Sequence, residues 1–481
     1  MKRSILNSVS AAALMFAAPA FAQNVQQAAN AQDAVLSGNA GTAITQNGNR
    51  NDADVRQGAN SGLRAYVQQD GDGNDADVIQ TGGASDAVSR ITQGQVPGAG
   101  NSADNDATTT QTGRGGRSTI VQTGTGTNNA DLKQDGNSTS GITQSGGLNS
   151  ASVDQAGLSH SSTVTQNGTG NSAGVDTTVG VTQRGSYNSS TVDQLNTGNT
   201  ANVKQDGFAN SSTVLQTGNG NVTNIGGIGV EQQGDTHVSN VTQDGNGGTV
   251  RVQQYNENGV GGNRSGIVQS ANGIVSVKQY GRNTLDIDQD ARRLEYNETG
   301  TSNPANAAVW VEQVGSNRAS VVQKAAAAGS TASINQIGTN NDATITQLVG
   351  MNDAGDEWVS QGMGGISQDG NDNTATVSQT GRGFADVSQT SQSNTAEVTQ
   401  NGNASATVVQ NGSYGAVYVD QNSGQQIATV TQSAGLGNLA DVEQYGAGPN
   451  TATISQAADF GVAMINQDGI SNTATINQGG N

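Results

Sequence analysis

The amino-acid sequence predicts an all-β protein. We expect a β-solenoid in which strand-turn-strand-turn rungs of about 22 residues stack into two parallel sheets, as in cross-β structures. One observation is a triplet of a β-branched residue, any residue and Gln, which recurs from Ile44–Gln46 to Ile476–Gln478. Another is the spacing of this triplet, eleven residues in the clearest stretches. The third is composition: 32% hydrophobic and 3% aromatic residues cannot fill a conventional core in a chain of 481 residues.

The repeat unit has the period of a strand. Its full form is Gln-x-Gly-x-x-Asn-x-Ala-x-(Val/Ile)-x-Gln, and the chain contains about 37 copies, depending on how degenerate ones are counted. Asn, Ala, Val and Gln occupy every second position, so their side chains point to one face of a strand and the intervening residues to the other. In one copy, Asn149, Val153 and Gln155 are predicted to face inward and Asp154 outward. The x-Gly-x-x segment supplies the chain reversal.

Stacking of identical residues is the predicted source of cohesion. An inward Asn or Gln can bond its own copy in the next rung, and each buried Val or Ile contributes about 1.5–3 kcal/mol. The predicted stacking core, taken from the clearest copies, is Gln46, Asn51, Val55, Gln57, Gln144, Asn149, Val153, Gln155, Gln368, Asn373, Val377, Gln379, Gln467, Asn472, Ile476 and Gln478. The corresponding turn glycines are Gly48, Gly146, Gly370 and Gly469.

The N-terminus has the features of a secretory signal. Lys2 and Arg3 precede an apolar stretch at residues 11–18, and the small-residue pattern that follows predicts cleavage between Ala22 and Gln23. We therefore expect a signal peptide at 1–22, an N-terminal leader at 23–43 and one repeat array at 44–481. No later stretch approaches the roughly 20 apolar residues of a membrane helix. The mature protein is expected to be secreted.

Several intervals between repeats are longer than eleven residues. They predict insertions, expected in loops at the corners of the rungs. These insertions lie near residues 94–110, 167–182, 217–229, 255–266, 290–309 and 348–367.

Charge and composition exclude several function classes. Loss of Lys2 and Arg3 with the signal takes 20 basic side chains to 18 against 39 acidic ones, a net charge near −21. Nucleic acid is therefore not a predicted partner, because its phosphates need a basic face. The chain has no cysteine, and its two histidines, His160 and His237, are expected at exposed positions without a Ser/His/Asp grouping. The sequence predicts no enzyme, no catalytic residue, no cofactor and no metal site.

The many aspartates of the repeats have two possible roles, cation binding and control of sheet association. The segment Asp70–Asp75 superficially resembles a calcium loop, although it lacks the closing Glu of an EF-hand. The alternative is that outward aspartates oppose lateral association of sheets. The residues in question are Asp52, Asp54, Asp77, Asp154 and Asp193.

The repeat unit behind a secretory signal resembles the curlin repeat of curli fibre subunits, the functional amyloids of Gram-negative biofilms. Among the matching positions are Gln144, Gly146, Asn149 and Gln155, and likewise Gln368, Gly370, Asn373 and Gln379. The resemblance implies an extracellular, cell-surface fibre that serves adhesion and the biofilm matrix. It also implies self-association, a nucleator subunit, an outer-membrane curli secretion channel, and contact with cell surfaces or matrix.

Two other functions are alternatives to a fibre subunit. An ice-binding solenoid needs a regular Thr row, but the position between Val and Gln is mixed, as Thr143, Asp154 and Lys204 illustrate. A monomeric secreted β-solenoid adhesin is the stronger alternative and would need an atypical cap. The last copy, Ala474–Gln478, stays in register to within three residues of the end of the sequence, which predicts an open edge.

Overall fold

The computed structural model describes residues 31–35, 41–59, 61–81, 86–94, 104–124, 126–175, 178–223, 229–256, 259, 261–270, 272–290, 308–324, 330–349, 365–381, 383–422 and 424–479. The chain divides into two compact units, Met1–Ser159 and His160–Asn481. Each unit is built from parallel strands of a β-solenoid with about 23 residues per turn, and no helix occurs in the described part. The predicted fold class is confirmed.

Unit 1 contains eleven described strands. They are Ala31–Val35 (β1), Gly41–Asn47 (β2), Asp52–Gln57 (β3), Arg64–Asp70 (β4), Asp75–Gln80 (β5), Val88–Gly94 (β6), Asp106–Gln111 (β7), Arg117–Thr123 (β8), Asn129–Asp135 (β9), Thr139–Gly147 (β10) and Ser150–Leu158 (β11). Successive strands alternate between two parallel sheets, β1-β3-β5-β7-β9-β11 and β2-β4-β6-β8-β10.

Unit 2 contains the remaining described strands. They are Ser161–Thr169 (β12), Ser172–Val175 (β13), Thr178–Val179 (β14), Val181–Ser186 (β15), Ser189–Thr197 (β16), Thr200–Ala201 (β17), Val203–Phe208 (β18), Ser211–Gln216 (β19), Val222–Thr223 (β20), Val230–Asp235 (β21), Val238–Gln243 (β22), Thr249–Tyr255 (β23), Arg264–Gln269 (β24), Ile274–Gly281 (β25), Thr284–Gln289 (β26), Ala308–Gln323 (β27), Thr331–Val349 (β28), Gly365–Asn371 (β29), Thr374–Thr380 (β30), Gly383–Gln392 (β31), Thr395–Asn401 (β32), Ala404–Gln410 (β33), Ala416–Gln421 (β34), Gln426–Gln432 (β35), Leu439–Gln444 (β36), Thr451–Gln456 (β37), Val462–Gln467 (β38) and Thr473–Gln478 (β39).

The two long strands of unit 2 serve both of its sheets. The first part of β27 pairs with β25 and its second part with β26. In the same way β28 pairs with β29 and then with β30. After β28 the strands alternate regularly, so that β29-β31-β33-β35-β37-β39 forms one sheet and β30-β32-β34-β36-β38 the other.

Inward and outward positions alternate as predicted. Val153 and Gln155 are buried, whereas Asp154 between them is partly exposed. In neighbouring strands of a sheet, residues of the same type lie opposite each other, for example Val55 opposite Val78. The core of each unit therefore consists of three kinds of parallel row: one of Ala, one of Val or Ile, and one of Gln. The aliphatic rows form the part of the core that excludes water.

Two insertions do not lie where the sequence analysis placed them. In a normal repeat the buried Ala and Val positions are two residues apart, but Ala173 and Val181 are eight apart, and the antiparallel pair β13–β14 lies between them. Thr223 and Val230 are likewise buried on either side of residues 224–228. In the described residues, these two intervals therefore separate the Ala position from the Val position of a repeat, and not the Gln position from the next Asn position.

Some predictions fall outside the described residues. These are the signal peptide at 1–22, its cleavage site at Ala22 and Gln23, and most of the leader. Most of the segments 290–309 and 348–367 also lies outside. In the described part of the chain, no helix is long and apolar enough to span a membrane.

Candidate self-assembly site

Glutamine side chains form hydrogen-bonded ladders along each unit. Within each ladder, the amide Nε2 of one Gln donates to Oε1 of the Gln on the next strand of its sheet, at 2.6–3.0 Å. In unit 1 the ladders are Gln46-Gln69-Gln93-Gln122-Gln144 and Gln57-Gln80-Gln111-Gln134-Gln155. Every member is buried. A buried amide costs free energy unless it is bonded, and stacking satisfies it with a copy of itself.

Unit 2 has two longer ladders of the same kind. One is Gln166-Gln194-Gln216-Gln243-Gln269-Gln289-Gln323-Gln347-Gln379-Gln400-Gln421-Gln444-Gln467. The other is Gln183-Gln205-Gln232-Gln254-Gln279-Gln313-Gln336-Gln368-Gln389-Gln410-Gln432-Gln456-Gln478. Neither ladder is interrupted, although some neighbouring strands are separated by long insertions.

The second amide hydrogen of a ladder Gln ties the two sheets together. Gln389 Nε2, for example, donates to the carbonyl oxygen of Thr374 at 3.1 Å in addition to Gln410 Oε1 at 2.8 Å. Its own Oε1 accepts from Gln368 at 2.8 Å. Each such Gln therefore bonds the rung before it, the rung after it and the opposite sheet.

Asparagines form a second ladder at the start of many strands. The backbone N–H of one Asn donates to Oδ1 of the Asn in the preceding rung, as Asn394 does to Asn373 at 3.0 Å. The Asn373 amide Nδ2 in turn donates to the carbonyl oxygen of Ser391 in the turn of the next rung, at 2.9 Å. The Asn row therefore satisfies backbone groups at the turns that a strand ladder leaves unpaired.

Both histidines belong to this Asn ladder, and the expectation that they are exposed is wrong. His160 and His237 are buried, with 2% and 0% of their surface exposed. The ring Nδ1 of each accepts a backbone N–H, from Asn188 at 3.3 Å and from Asn263 at 3.2 Å. Burial lowers the pKa of His237, which favours the neutral ring that this acceptor role requires. The sequence held the signal, because each His lies six residues before a ladder Gln, at the Asn position.

The structure places the sequence-predicted stacking residues as follows. Those on β2, β3, β10, β11, β29 and β30, with their ladder asparagines, are buried, as is Gln467 on β38. Asn472, Ile476 and Gln478 are partly exposed because they belong to the last described rung. The four turn glycines all have positive φ, between 102° and 143°. The part these residues play in assembly stays a prediction.

The last described rung presents two strand edges. Within the described residues, β38 pairs only with β36 and β39 only with β37. Gln478 Oε1 accepts from Gln456 at 2.8 Å, and Gln478 Nε2 donates to the carbonyl oxygen of Val462 at 2.8 Å. No described Gln accepts from Gln467 or Gln478, so both ladders end here with an amide donor. Edges of this kind are templates for a further strand.

The aspartates of the Asp70–Asp75 segment bond neighbouring turns. Asp70 Oδ1 accepts from Asn47 Nδ2 at 2.7 Å, and Asp72 Oδ1 accepts from the backbone N–H of Asn49 at 2.6 Å. No group of three or more acidic or histidine side chains in the described residues is arranged to hold a metal ion. These carboxylates therefore extend the rung-to-rung bonding into the turns.

Comparison with known protein families identifies part of the repeat pattern. The family model described as the curlin associated repeat matches residues 137–168, 197–226 and 338–381. No curated protein matches the chain. The chain therefore carries curlin-associated repeats at these three places, within the stacked strands described above.

Proposed function

We propose that this protein is a structural subunit of an extracellular, curli-like amyloid fibre that grows by end-to-end β-stacking. The observation that supports this most is the pair of unbroken Gln ladders in unit 2, which run to β38 and β39, each of which pairs with one strand among the described residues. Another copy can continue the same ladder, because every ladder amide bonds a partner identical to itself. No catalytic group takes part in this role.

The ladders also give the proposed fibre a direction. In both units the Gln amides donate toward later strands and their carbonyl oxygens accept from earlier ones. The edge at β38 and β39 therefore offers donors, and an incoming copy must offer acceptors. Copies are expected to add head to tail, so that each contact repeats the one before it.

The setting is part of the proposal and is supported by the curlin-associated repeats. A curli-like fibre is assembled outside the cell, so the chain would be exported through an outer-membrane secretion channel and seeded by a nucleator subunit. The fibre would then contact cell surfaces or matrix.

Seeded elongation of the purified chain lacking residues 1–22 tests the role of the last rung. Replacing Gln467, Asn472 and Gln478 by Ala removes both terminal amide donors and is expected to slow elongation on wild-type seeds by about tenfold or more. The matched control, Thr475→Ala with Asn477→Ala, changes exposed outward residues of the same strand β39. Equal elongation rates for the two variants would contradict the proposed contact.

A further inference from the structure

Unit 1 carries opposite charges on the outward surfaces of its two sheets. On one sheet, Arg64, Arg90 and Arg117 are exposed on β4, β6 and β8. We call this surface the basic face. Its described outward residues include one acid, Asp70, at the end of β4, and that side chain is hydrogen bonded to Asn47. None of the three arginines forms an ion pair within the described part of the chain.

The strand register fixes the arrangement of these arginines. Arg64 and Arg117 both pair with Val88, so they lie in one row two strands apart, about 9.6 Å along the axis. Arg90 lies on the strand between them, in the next row of outward residues. The basic face is thus a triangle of guanidinium groups that form no ion pair with the described residues.

The outward surface of the other sheet of unit 1 carries carboxylates with the same spacing between strands and along each strand. Asp52, Asp75 and Asp106 are direct register partners on β3, β5 and β7. Asp54 and Asp77 pair in the next row. We call this surface, with Asp131 and Asp154, the acidic face.

Carboxylates on the acidic face are only partly neutralised. Arg56 pairs with Asp54, and Lys133 on β9 is the other base among its described outward residues. Burial and repulsion from neighbouring carboxylates raise the pKa of Asp75, Asp77 and Asp106. A cationic partner would relieve this repulsion.

We propose that the basic face of one copy docks against the acidic face of a second copy, so that molecules associate side by side through unit 1. Both faces repeat at about 4.8 Å along the axis and at about 7 Å along the strand, so arginines of one copy can align with aspartate rows of the other. Two acidic faces or two basic faces repel each other, whereas an acidic face attracts a basic face. The outward aspartates therefore oppose contact between two acidic faces and favour contact between an acidic and a basic face.

The size of the faces sets the expected strength. Five strands with three outward residues each cover roughly 20 by 20 Å, well below the about 800 Å² per partner of a standard interface. A single contact is therefore expected to be weak and dependent on salt. Copies arrayed along a fibre would make many such contacts at once.

The test measures self-association of unassembled chain lacking residues 1–22 by sedimentation equilibrium at low salt. At about 10 mM salt, with a screening length of about 30 Å, we expect concentration-dependent association, and at about 0.15 M, with a screening length of about 8 Å, its loss. Replacing Arg64, Arg90 and Arg117 by Glu should weaken association at least about tenfold. A control with the same net charge replaces Arg264, Arg282 and Arg318, all exposed in unit 2, by Glu and should associate like wild type.

A charge-swap mixture makes the test independent of folding defects in any one variant. The variant Asp52→Lys, Asp77→Lys, Asp106→Lys should fail to associate alone and should associate with the Arg64→Glu, Arg90→Glu, Arg117→Glu variant. No association of wild-type chain at low salt, equal loss in the unit 2 control, or no rescue in the mixture would overturn the proposal. Seeded elongation of the same variants should be unchanged, so failure of this contact is distinguishable from failure of the fibre.

Discussion

Gln456 and Gln478 lie on the last two strands of one sheet, with the Nε2 of Gln456 donating to the Oε1 of Gln478 at 2.8 Å. Gln478 is therefore an acceptor, as the Gln residues from Gln205 to Gln456 in its ladder are, while its own Nε2 bonds only the carbonyl oxygen of Val462 among the described residues. The Gln side chain thus forms the hydrogen bonds between rungs inside the solenoid and also supplies the amide donor at the last described rung. Stability of the solenoid and growth of a fibre are therefore expected to depend on the same amide.

Removal of one interior ladder amide is expected to destabilise unit 2 locally. Gln389→Ala deprives Gln368 of its acceptor and Gln410 of its donor, and it leaves a cavity in the core. We expect a loss of about 3 kcal/mol. Hydrogen exchange of β29, β31 and β33 measures it, because a solenoid couples mainly to nearest neighbours.

The control for this prediction is Ser388→Ala, which changes the adjacent outward position and should cost no more than about 0.5 kcal/mol. If both variants exchange at the wild-type rate, the amide ladder does not stabilise the rungs.

Turns of neighbouring rungs approach each other closely at some glycines, where a larger residue is expected to destabilise the solenoid. Gly370 has φ +143°, and a Cβ there would lie 1.7 Å from the carbonyl oxygen of Ser391 in the next rung. Gly220 also has positive φ, +63°, but a Cβ there would meet nothing within 4 Å. We expect Gly220→Ala to cost about 1 kcal/mol and Gly370→Ala clearly more, because the latter must also separate two rungs.

Chemical unfolding of the two glycine variants provides the measurement. Equal unfolding free energies would show that the turns of neighbouring rungs can move apart without cost, contrary to the close stacking described here.

The buried histidine is expected to make the solenoid sensitive to acid near neutral pH. Burial lowers the pKa of His237 below its ordinary value of 6.5, although the carbonyl of Gln233 and the charge of Asp235 oppose the shift. A lowered folded pKa means that stability is complete above pH 6.5 and is lost as the pH falls below it. Protonation would also place a proton on the Nδ1 atom that accepts the Asn263 N–H.

Hydrogen exchange of β22 and β24 between about pH 7.5 and pH 5.5 checks this prediction. The variant His237→Asn restores the usual ladder residue and should abolish the acid-dependent increase in exchange. An unchanged pH profile in this variant would contradict the role assigned to the ring nitrogen.

The acidic face of unit 1 is expected to have the opposite pH dependence. Because the pKa of Asp75 and Asp77 is raised above the ordinary value of 3.8, the folded state binds more protons than the unfolded state just above that pH. Stability therefore rises as the pH falls toward 3.8. Asp75→Asn with Asp77→Asn should raise the unfolding midpoint at pH 7, and the gain should vanish near pH 3.8.

Thermal unfolding at the two pH values measures this effect. The matched variant Asp244→Asn, in an exposed turn of unit 2, should leave the midpoint at pH 7 unchanged. A lower midpoint for the Asp75 and Asp77 variant would show that these carboxylates stabilise the sheet.

Local alternation made the fold predictable from sequence. Side-chain period two and the fixed order of Asn, Ala, Val and Gln determine which side of each strand is buried, so the inward positions of Val153 and Gln155 followed directly. The Gln ladder could be predicted for the same reason, since stacked repeats bring identical residues together.

Other features depend on how rungs stack and were not predictable in the same way. The eleven-residue spacing does not show that the antiparallel pair β13–β14 lies between the buried Ala173 and the buried Val181. Arg64 and Asp52 lie on different faces because alternate repeats belong to alternate sheets, which the repeat pattern alone does not specify. The burial of His160 and His237 depends on their position in the repeat, the Asn position, and not on the usual exposure of histidine.

Fibre diffraction of the incubated protein lacking residues 1–22 tests most directly whether the chain stacks on itself to form a fibre. The account predicts thioflavin-positive, protease-resistant fibres with an axial reflection at about 4.7–4.8 Å, and faster assembly when preformed seeds are added. If the chain stays monomeric at micromolar concentration for days and ignores the seeds, the fibre-subunit proposal is contradicted and the monomeric adhesin becomes the better account.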